Sequence, residues 1–210
     1  LKRLVDWGVD EFFVSIHGPE EIHDAIARRP GAFAETMAGF ANLSAQSVNV
    51  ISNSVLTAEN LEHLPRLFSM LVGERISEIH LWNCFLMQPD DAGNRLVSLQ
   101  DLIRMLPRLA RILAPAAIPL VLKSFPECLP VQAPVVIDSR YPVTLLPDRF
   151  WQKFEENRFG QCFHRQSGRC RADGCWGLSE AYIRKFGDER RLLTPIAGSG
   201  PSSTGKGGGP

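Results

Sequence analysis

Three cysteines lie close together towards the end of the chain. Seven residues separate Cys162 from Cys170, and four separate Cys170 from Cys175. Deprotonated thiols bind zinc and iron-sulfur clusters, and the glycines nearby allow a loop to fold around one centre. Arginines lie between the cysteines, and their positive charge favours the thiolate form. The pattern predicts a metal centre rather than cysteines scattered in a loop.

The sequence alone does not decide which residue is the fourth ligand or which metal is bound. Cys128 is separated from Cys162 by 33 residues and would complete a set of four thiols for a 4Fe-4S cluster. His164 would instead complete a zinc site of mixed sulfur and nitrogen type with the three clustered cysteines. The spacing fits either metal.

Composition limits the classes of protein and partner. The five cysteines are an odd number, and no secretory signal precedes them, so a reducing cytoplasm fits better than a disulfide framework. The 23 basic and 23 acidic residues balance, which argues against a nucleic-acid partner. No apolar run approaches the roughly 20 residues that a membrane span needs. We expect a soluble, cytoplasmic protein.

Apolar and β-branched runs alternate with segments of helical periodicity. We predict strands over residues 12–16, 48–56, 76–85 and 118–123, the first of them of the buried parallel type. Helices are predicted over 32–45, 60–71 and 98–113. Ser98 and Asp101 form a capping pair, and Asn60 is expected to accept backbone donors where its helix begins.

This alternation predicts an α/β fold with a parallel sheet, whose ligands lie beyond the carboxyl ends of its strands. Four strands are too few to close a ring, so we expect a partial (β/α) barrel, an incomplete TIM-like barrel, over residues 1–125. An open doubly wound sheet is the alternative. A small Cys-rich C-terminal extension over 126–196 would contain helices near 150–157 and 178–186. Gly187 is suited to a left-handed cap there, and residues 197–210 form a disordered tail rich in Gly, Ser and Pro.

Several short segments follow the order seen around the fourth barrel strand of radical S-adenosylmethionine (radical SAM) proteins. They are residues 8–10 (Gly-Val-Asp), 14–18 (Val-Ser-Ile-His-Gly), 23–24 (His-Asp), 30–33 (Pro-Gly-Ala-Phe) and 53–57 (Asn-Ser-Val-Leu-Thr) with Asn60. Cys170, residues 175–178 (Cys-Trp-Gly-Leu), Tyr182 and residues 186–187 (Phe-Gly) resemble the SPASM/twitch-like Cys-rich extension of several such subfamilies. The resemblance covers about residues 1–196.

The resemblance implies an enzyme in which an upstream 4Fe-4S cluster reductively cleaves S-adenosylmethionine to a deoxyadenosyl radical, which takes hydrogen from a substrate. The family's CxxxCxxC motif does not occur in these 210 residues, and the first residue is Leu1. We therefore expect a fragment of such an enzyme, inactive alone. Its partners would be a small-molecule or peptide substrate and a reductant such as ferredoxin or flavodoxin.

By the same resemblance, Ser15 and His17 would contact S-adenosylmethionine from the fourth strand, and Asn53 would do so from the next one. The alternative is that these groups only bond neighbouring backbone. For His23 and Asp24, before a helix, we favour a structural, capping role. No residue is assigned to catalysis. The alternative function is a zinc-stabilised, non-catalytic binding domain, and an ordinary barrel enzyme with phosphate loops ranks last because no glycine-rich phosphate cradle is visible.

Overall fold

A computed structural model describes residues 1–86, 88, 90–132, 134–138, 148–172 and 175–197. Its five strands form one sheet in chain order, and every neighbouring pair is parallel. The strands are β1 (Glu11–Ser15), β2 (Asn49–Val55), β3 (Glu78–Trp82), β4 (Leu120–Lys123) and β5 (Val135–Ile137). This α/β architecture is consistent with a partial (β/α) barrel, as predicted. A doubly wound sheet would reverse its strand order at a switch point, and this sheet does not.

The helices connect and follow these strands. They are α1 (Lys2–Asp6), α2 (Glu20–Ala27), α3 (Ala32–Ser44), α4 (Leu64–Leu71), α5 (Leu99–Leu113), α6 (Asp148–Glu156), α7 (Phe163–Gln166) and α8 (Glu180–Phe186), with 3₁₀ turns at Leu61–His63, Ala114–Ala116 and Arg190–Leu192. In the described part of the chain, no helix is long and apolar enough to cross a bilayer.

The two faces of the sheet differ in chemistry. One face packs against the helices and is apolar, with Ile79, Leu81, Leu120 and Leu122 fully buried. The register aligns Ser15 with Asn53 and Asn53 with His80 on the other face, which we call the open face. Because strand side chains alternate between faces, the open face carries a polar layer in the middle of the sheet.

The helices owe their positions to apolar stripes. In α4, Leu64, Leu67, Phe68 and Leu71 are fully buried, and α4 packs against α5. The predicted cap of α5 is confirmed, since the Ser98 hydroxyl accepts the backbone N–H of Asp101 at 3.0 Å. The position of α5 also determines where the C-terminal extension attaches, because the extension contacts the first turn of α5.

Four sequence expectations need correction. The first strand was expected to be buried, but β1 is an edge strand of the open face and Phe13 is 52% exposed. The short strand β5 was not predicted, and it continues the sheet beyond residue 125. His23 and Asp24 precede the predicted helix α3, but they lie within a further helix, α2, that was not predicted. The fourth correction concerns Asn60, which makes no side-chain cap bond to its 3₁₀ turn. The division of the chain at residue 125 stays a prediction, and the predicted tail beyond residue 197 lies outside the described residues.

Candidate functional site

Ser15 and Asn53 meet at the carboxyl ends of neighbouring parallel strands. They are paired in register, and the side-chain amide of Asn53 donates to the Ser15 hydroxyl at 3.2 Å. Carboxyl ends of parallel strands are where ligands bind in α/β folds. The structure thus brings together two of the three residues for which the sequence suggested a cofactor contact, and the contact itself stays a prediction.

His17 lies just beyond β1 in a chain of hydrogen bonds between histidines. The backbone N–H of Val55 donates to His17 Nδ1 at 3.3 Å, and the backbone N–H of His17 donates to His23 Nδ1 at 3.0 Å. Each Nδ1 is therefore an acceptor, which assigns the ring proton to Nε2 in both residues. Burial lowers the pKa of both imidazoles, and the neighbouring His23 lowers that of His17 further. Burial thus favours the neutral form of both rings.

Asn60 connects the two loops that follow β1 and β2. It is fully buried, and its amide donates to the carbonyls of His17 at 2.9 Å and Val55 at 2.8 Å. Its carbonyl oxygen accepts the backbone N–H of Thr57 at 2.9 Å. Asn60 accepts a backbone donor as expected, but it stabilises the strand exits rather than a helix.

Asp24 has the structural role that the sequence favoured. Its carboxylate accepts the backbone N–H groups of Gly31 at 2.5 Å and Phe33 at 2.7 Å, at the beginning of α3. These bonds lower the pKa of the carboxyl, that to Phe33 most, and they satisfy donors that have no partner within the helix. His23 beside it accepts the N–H of His17 at Nδ1 rather than a bond from Asp24.

A second group on the open face escaped sequence analysis. His80 is 4% exposed, and its Nε2 lies 2.7 Å from a carboxylate oxygen of Glu78. Lys123 on the next strand forms an ion pair with Asp138 at 2.8 Å. The available signal was the alternation of β3, which places Glu78 and His80 on the same face as Asn53.

Three of the predicted metal ligands act electrostatically on the fourth, Cys128. Burial, and then the proximity of Cys175, Cys162 and Cys170, raise the pKa of the Cys128 thiol to about 12. Four thiols from separate parts of the extension therefore share one region of the fold. Among the residues that the structure describes, which leave out 173–174 in this loop, no three His, Cys, Asp or Glu side chains are gathered so as to hold a metal ion.

The backbone around Cys175 is arranged as it would be around a thiolate. Its Sγ accepts the N–H groups of Glu127 at 3.5 Å and Gly177 at 3.4 Å. Burial raises the pKa of this thiol, and the two N–H groups oppose that shift. Arg165 donates to the carbonyls of Ala172 at 2.9 Å and Cys175 at 2.7 Å, which holds the cysteine loop against α7. Hydrogen bonds to sulfur are a feature of iron-sulfur sites.

His164 has the environment of a structural or a ligating histidine. It is 7% exposed, and its Nε2 lies 3.2 Å from the carbonyl of Arg190. A carbonyl only accepts, so Nε2 carries the proton and Nδ1 has the lone pair, without a partner among the described residues. Ligand histidines often donate their other N–H to a carbonyl in this way. The choice between Cys128 and His164 as fourth ligand therefore stays a prediction.

Several contacts connect the cysteine-rich extension to the barrel, among them those of Tyr182 and Trp176. The Tyr182 hydroxyl accepts the backbone N–H of Leu99 at 2.5 Å, where α5 begins, and donates to the Glu189 carboxylate. The ring of Trp176, next to Cys175, packs against the ring of Phe85 beyond β3, with 5.1 Å between the ring centroids. Its neighbours form an aromatic cluster, consisting of Phe85, Phe150, Trp151, Phe154, Phe159 and Trp176. The cysteines are thus held on the same side as the carboxyl end of β3.

Comparison with known proteins gives a partial relationship. No known family profile matches the chain. An AdoMet-dependent heme synthase from Nitratidesulfovibrio vulgaris strain Hildenborough is 33% identical over 89 residues, which are 42% of this chain and 23% of that protein. The matched part is thus under a quarter of that relative. The similarity supports a relationship to the radical SAM enzymes, and so a radical SAM type of activity, at this coarse level.

Proposed function

We propose that this chain is the later part of a radical SAM enzyme, with the last strands of its barrel and an auxiliary iron-sulfur cluster held by Cys128, Cys162, Cys170 and Cys175. The sequence order of the family's motifs, the parallel arc of strands and the AdoMet-dependent relative support this proposal. When bound, such clusters and S-adenosylmethionine supply the radical chemistry, and the protein supplies binding, orientation and shielding.

The observation that carries the cluster proposal is the convergence of the cysteines on one part of the fold. Cys170 and Cys175 pack in one buried cluster, and the N–H of Glu127, the neighbour of Cys128, donates to Cys175 Sγ at 3.5 Å. Cys175, Cys162 and Cys170 raise the pKa of the Cys128 thiol, which requires each of them to lie within Coulombic range of Cys128. A metal stabilises thiolates and so replaces their protons on binding. The donor set is all sulfur, and the N–H groups of Glu127 and Gly177 already point at one of the sulfurs.

Anaerobic reconstitution of the 210-residue chain with iron and sulfide tests this proposal. We expect brown protein with broad thiolate-to-iron absorption, which Cys128→Ala, Cys170→Ala and Cys175→Ala each abolish. Cys84→Ala is the matched control, because Cys84 is also a free, partly buried cysteine but is not in the proposed set. Protein that stays colourless and free of iron would overturn the cluster assignment.

The same preparations separate the zinc-stabilised binding domain from the radical enzyme. One zinc per chain after native purification, lost in His164→Ala but kept in Cys128→Ala, would favour the zinc site. Iron and sulfide with the opposite dependence would favour the auxiliary cluster. Unfolding on treatment with a chelator would add that the metal is structural.

The radical activity has its own test. With a strong reductant, the 210-residue chain alone should release no 5′-deoxyadenosine from S-adenosylmethionine, since it has no CxxxCxxC motif. The coding sequence upstream of Leu1 should encode that motif, and the longer protein should release deoxyadenosine with ferredoxin or flavodoxin as reductant. Failure of the longer protein to do so would overturn the proposal. A heme precursor is the first small-molecule substrate to try, because the relative is named as a heme synthase.

A further inference from the structure

Two buried polar atoms lie side by side on the open face without a partner among the described residues. They are Oδ1 of Asn53 and Nδ1 of His80. The two residues are paired in register on β2 and β3, so their side chains leave the sheet in the same direction. Folded proteins satisfy nearly all buried polar atoms. Two adjacent exceptions on the open face, opposite the face that packs against the helices, indicate a place for a ligand.

Both atoms are hydrogen-bond acceptors. The amide nitrogen of Asn53 already donates to Ser15, which leaves its carbonyl oxygen for another partner. The Glu78 carboxylate accepts from His80 Nε2, so the ring proton is on Nε2 and the lone pair on Nδ1. A carboxylate that holds one nitrogen of an imidazole orients the other and increases its basicity. The site therefore selects groups that donate.

We propose that Asn53 and His80 form a binding site for a substrate group with O–H or N–H donors, such as a hydroxyl or an amine, and that Glu78 orients His80 for it. The site is reached from the open face, where Ser15 is exposed and the Phe13 ring contacts His80 at 5.5 Å edge to face. The charged groups around the imidazole are Glu78, Lys123 and Asp138. Lys123 is paired with Asp138, so the local charge does not oppose a cationic donor.

This inference deepens the proposed function, from which it takes the idea of a substrate, but its test requires no cluster and no radical. The 210-residue chain is labelled with ¹⁵N-histidine, and the Nδ1 signal of His80 is followed by NMR. The probes are methylammonium and methanol, which donate hydrogen bonds, with tetramethylammonium as the matched cation that cannot donate. Glu78→Gln assigns the signal, because it changes the bond to Nε2 of His80 alone.

We expect the two donor probes to shift His80 Nδ1 and tetramethylammonium to leave it unchanged. His23 Nδ1 serves as the internal reference, because the His17 N–H already occupies it. Asn53→Ala should weaken methylammonium binding about five- to tenfold, the effect of one lost hydrogen bond. Ser52→Ala is the control, since Ser52 Oγ also has no partner among the described residues but lies on the helix-facing side.

The proposal is overturned if neither donor probe shifts His80 Nδ1, if tetramethylammonium shifts it equally, or if the His80 proton is found on Nδ1. It is also overturned if Ser52→Ala weakens binding as much as Asn53→Ala. None of these results bears on the iron content of the cysteine cluster. A failure here is therefore distinct from a failure of the proposed radical SAM function.

Discussion

The backbone N–H of Gly177 lies 3.4 Å from Sγ of Cys175 and donates to it. This contact depends on a conformation that glycine adopts easily, because φ of Gly177 is +61°. A Cβ at this position would lie 2.7 Å from the backbone oxygen of Gln161. The N–H of residue 177 can therefore reach the Cys175 thiol only if this residue has no side chain, as glycine does.

Gly177→Ala should therefore destabilise the extension more than the same change at a glycine with open space. Gly168→Ala is the control, since φ there is +71° and nothing lies within 4 Å of the added Cβ. We expect a loss of about 1 kcal/mol in unfolding free energy for Gly168→Ala from backbone strain alone. Gly177→Ala should lose clearly more in urea denaturation. Equal losses would show that the contact with Gln161 does not limit the site.

Acidification should destabilise the chain through its buried histidines. Burial lowers the pKa of His17, His23 and His80 below 6.5, so the unfolded chain binds more protons than the folded one as pH falls. The contribution of these histidines to the free energy of unfolding is therefore fully present above pH 6.5, and it is lost as the pH falls below that value. Urea denaturation at pH 7.5 and 5.5 measures the difference. His23→Asn, whose oxygen can still accept the His17 N–H, should reduce it, and an unchanged difference would contradict the assignment.

Alkaline pH should destabilise the metal-free chain through Cys128. The pKa of this thiol rises from 9.0 to about 12 on folding, so above pH 9.0 the unfolded chain loses its proton first. Stability falls between those two values. Denaturation between pH 8 and 11 in the presence of a thiol reductant tests this, and Cys128→Ala should flatten the dependence. Bound metal should remove it as well, because the thiolates are then already formed.

Tyr182→Phe should loosen the attachment of the extension to α5. The change removes one of the two acceptors of the Leu99 N–H, which also donates to Glu189 at 3.0 Å, and it removes the hydroxyl that donates to Glu189. The loss of a hydrogen bond of this kind costs about 0.5–1.5 kcal/mol in unfolding free energy. Amide exchange at Leu99 and limited proteolysis of residues 175–197 should both accelerate. Combination with Glu189→Gln should add little, and full additivity of the two losses would contradict a shared hydrogen bond.

The parallel sheet could be predicted from sequence because its apolar runs and helical stripes repeat over long segments. The stripes of α4 and α5 and the Ser98 cap depend on local spacing, and the structure confirms them. The strand β5 could not be recognised in the same way, because it has three residues and follows a proline. Its existence depends on pairing with β4, which is a non-local interaction. The exposure of β1 likewise depends on its place at the edge of the sheet.

In the candidate site, too, the residues that the sequence indicates differ from those whose roles depend on non-local contacts. Ser15 and Asn53 could be named because the resemblance to radical SAM proteins implies a cofactor contact for residues at or near the ends of these strands, and the register then brings the two together. His80 was missed because its significance comes from Glu78 two residues earlier and from Asn53 on another strand. The role of Asp24 was visible as a capping residue, but its partners at Gly31 and Phe33 lie too far along the chain for a local pattern to show.

The buried carboxamide of Asn60 makes the exits of β1 and β2 a single mechanical unit. A displacement of His17 by a bound molecule would be transmitted to Val55 through this side chain and through the direct bond from the Val55 N–H to His17 Nδ1, without any change in the sheet itself. Replacing that carboxamide with a carboxylate would set a negative charge against two carbonyl oxygens. The two loops would then separate beyond the sheet, while the register of β1 and β2 would still hold Ser15 beside Asn53.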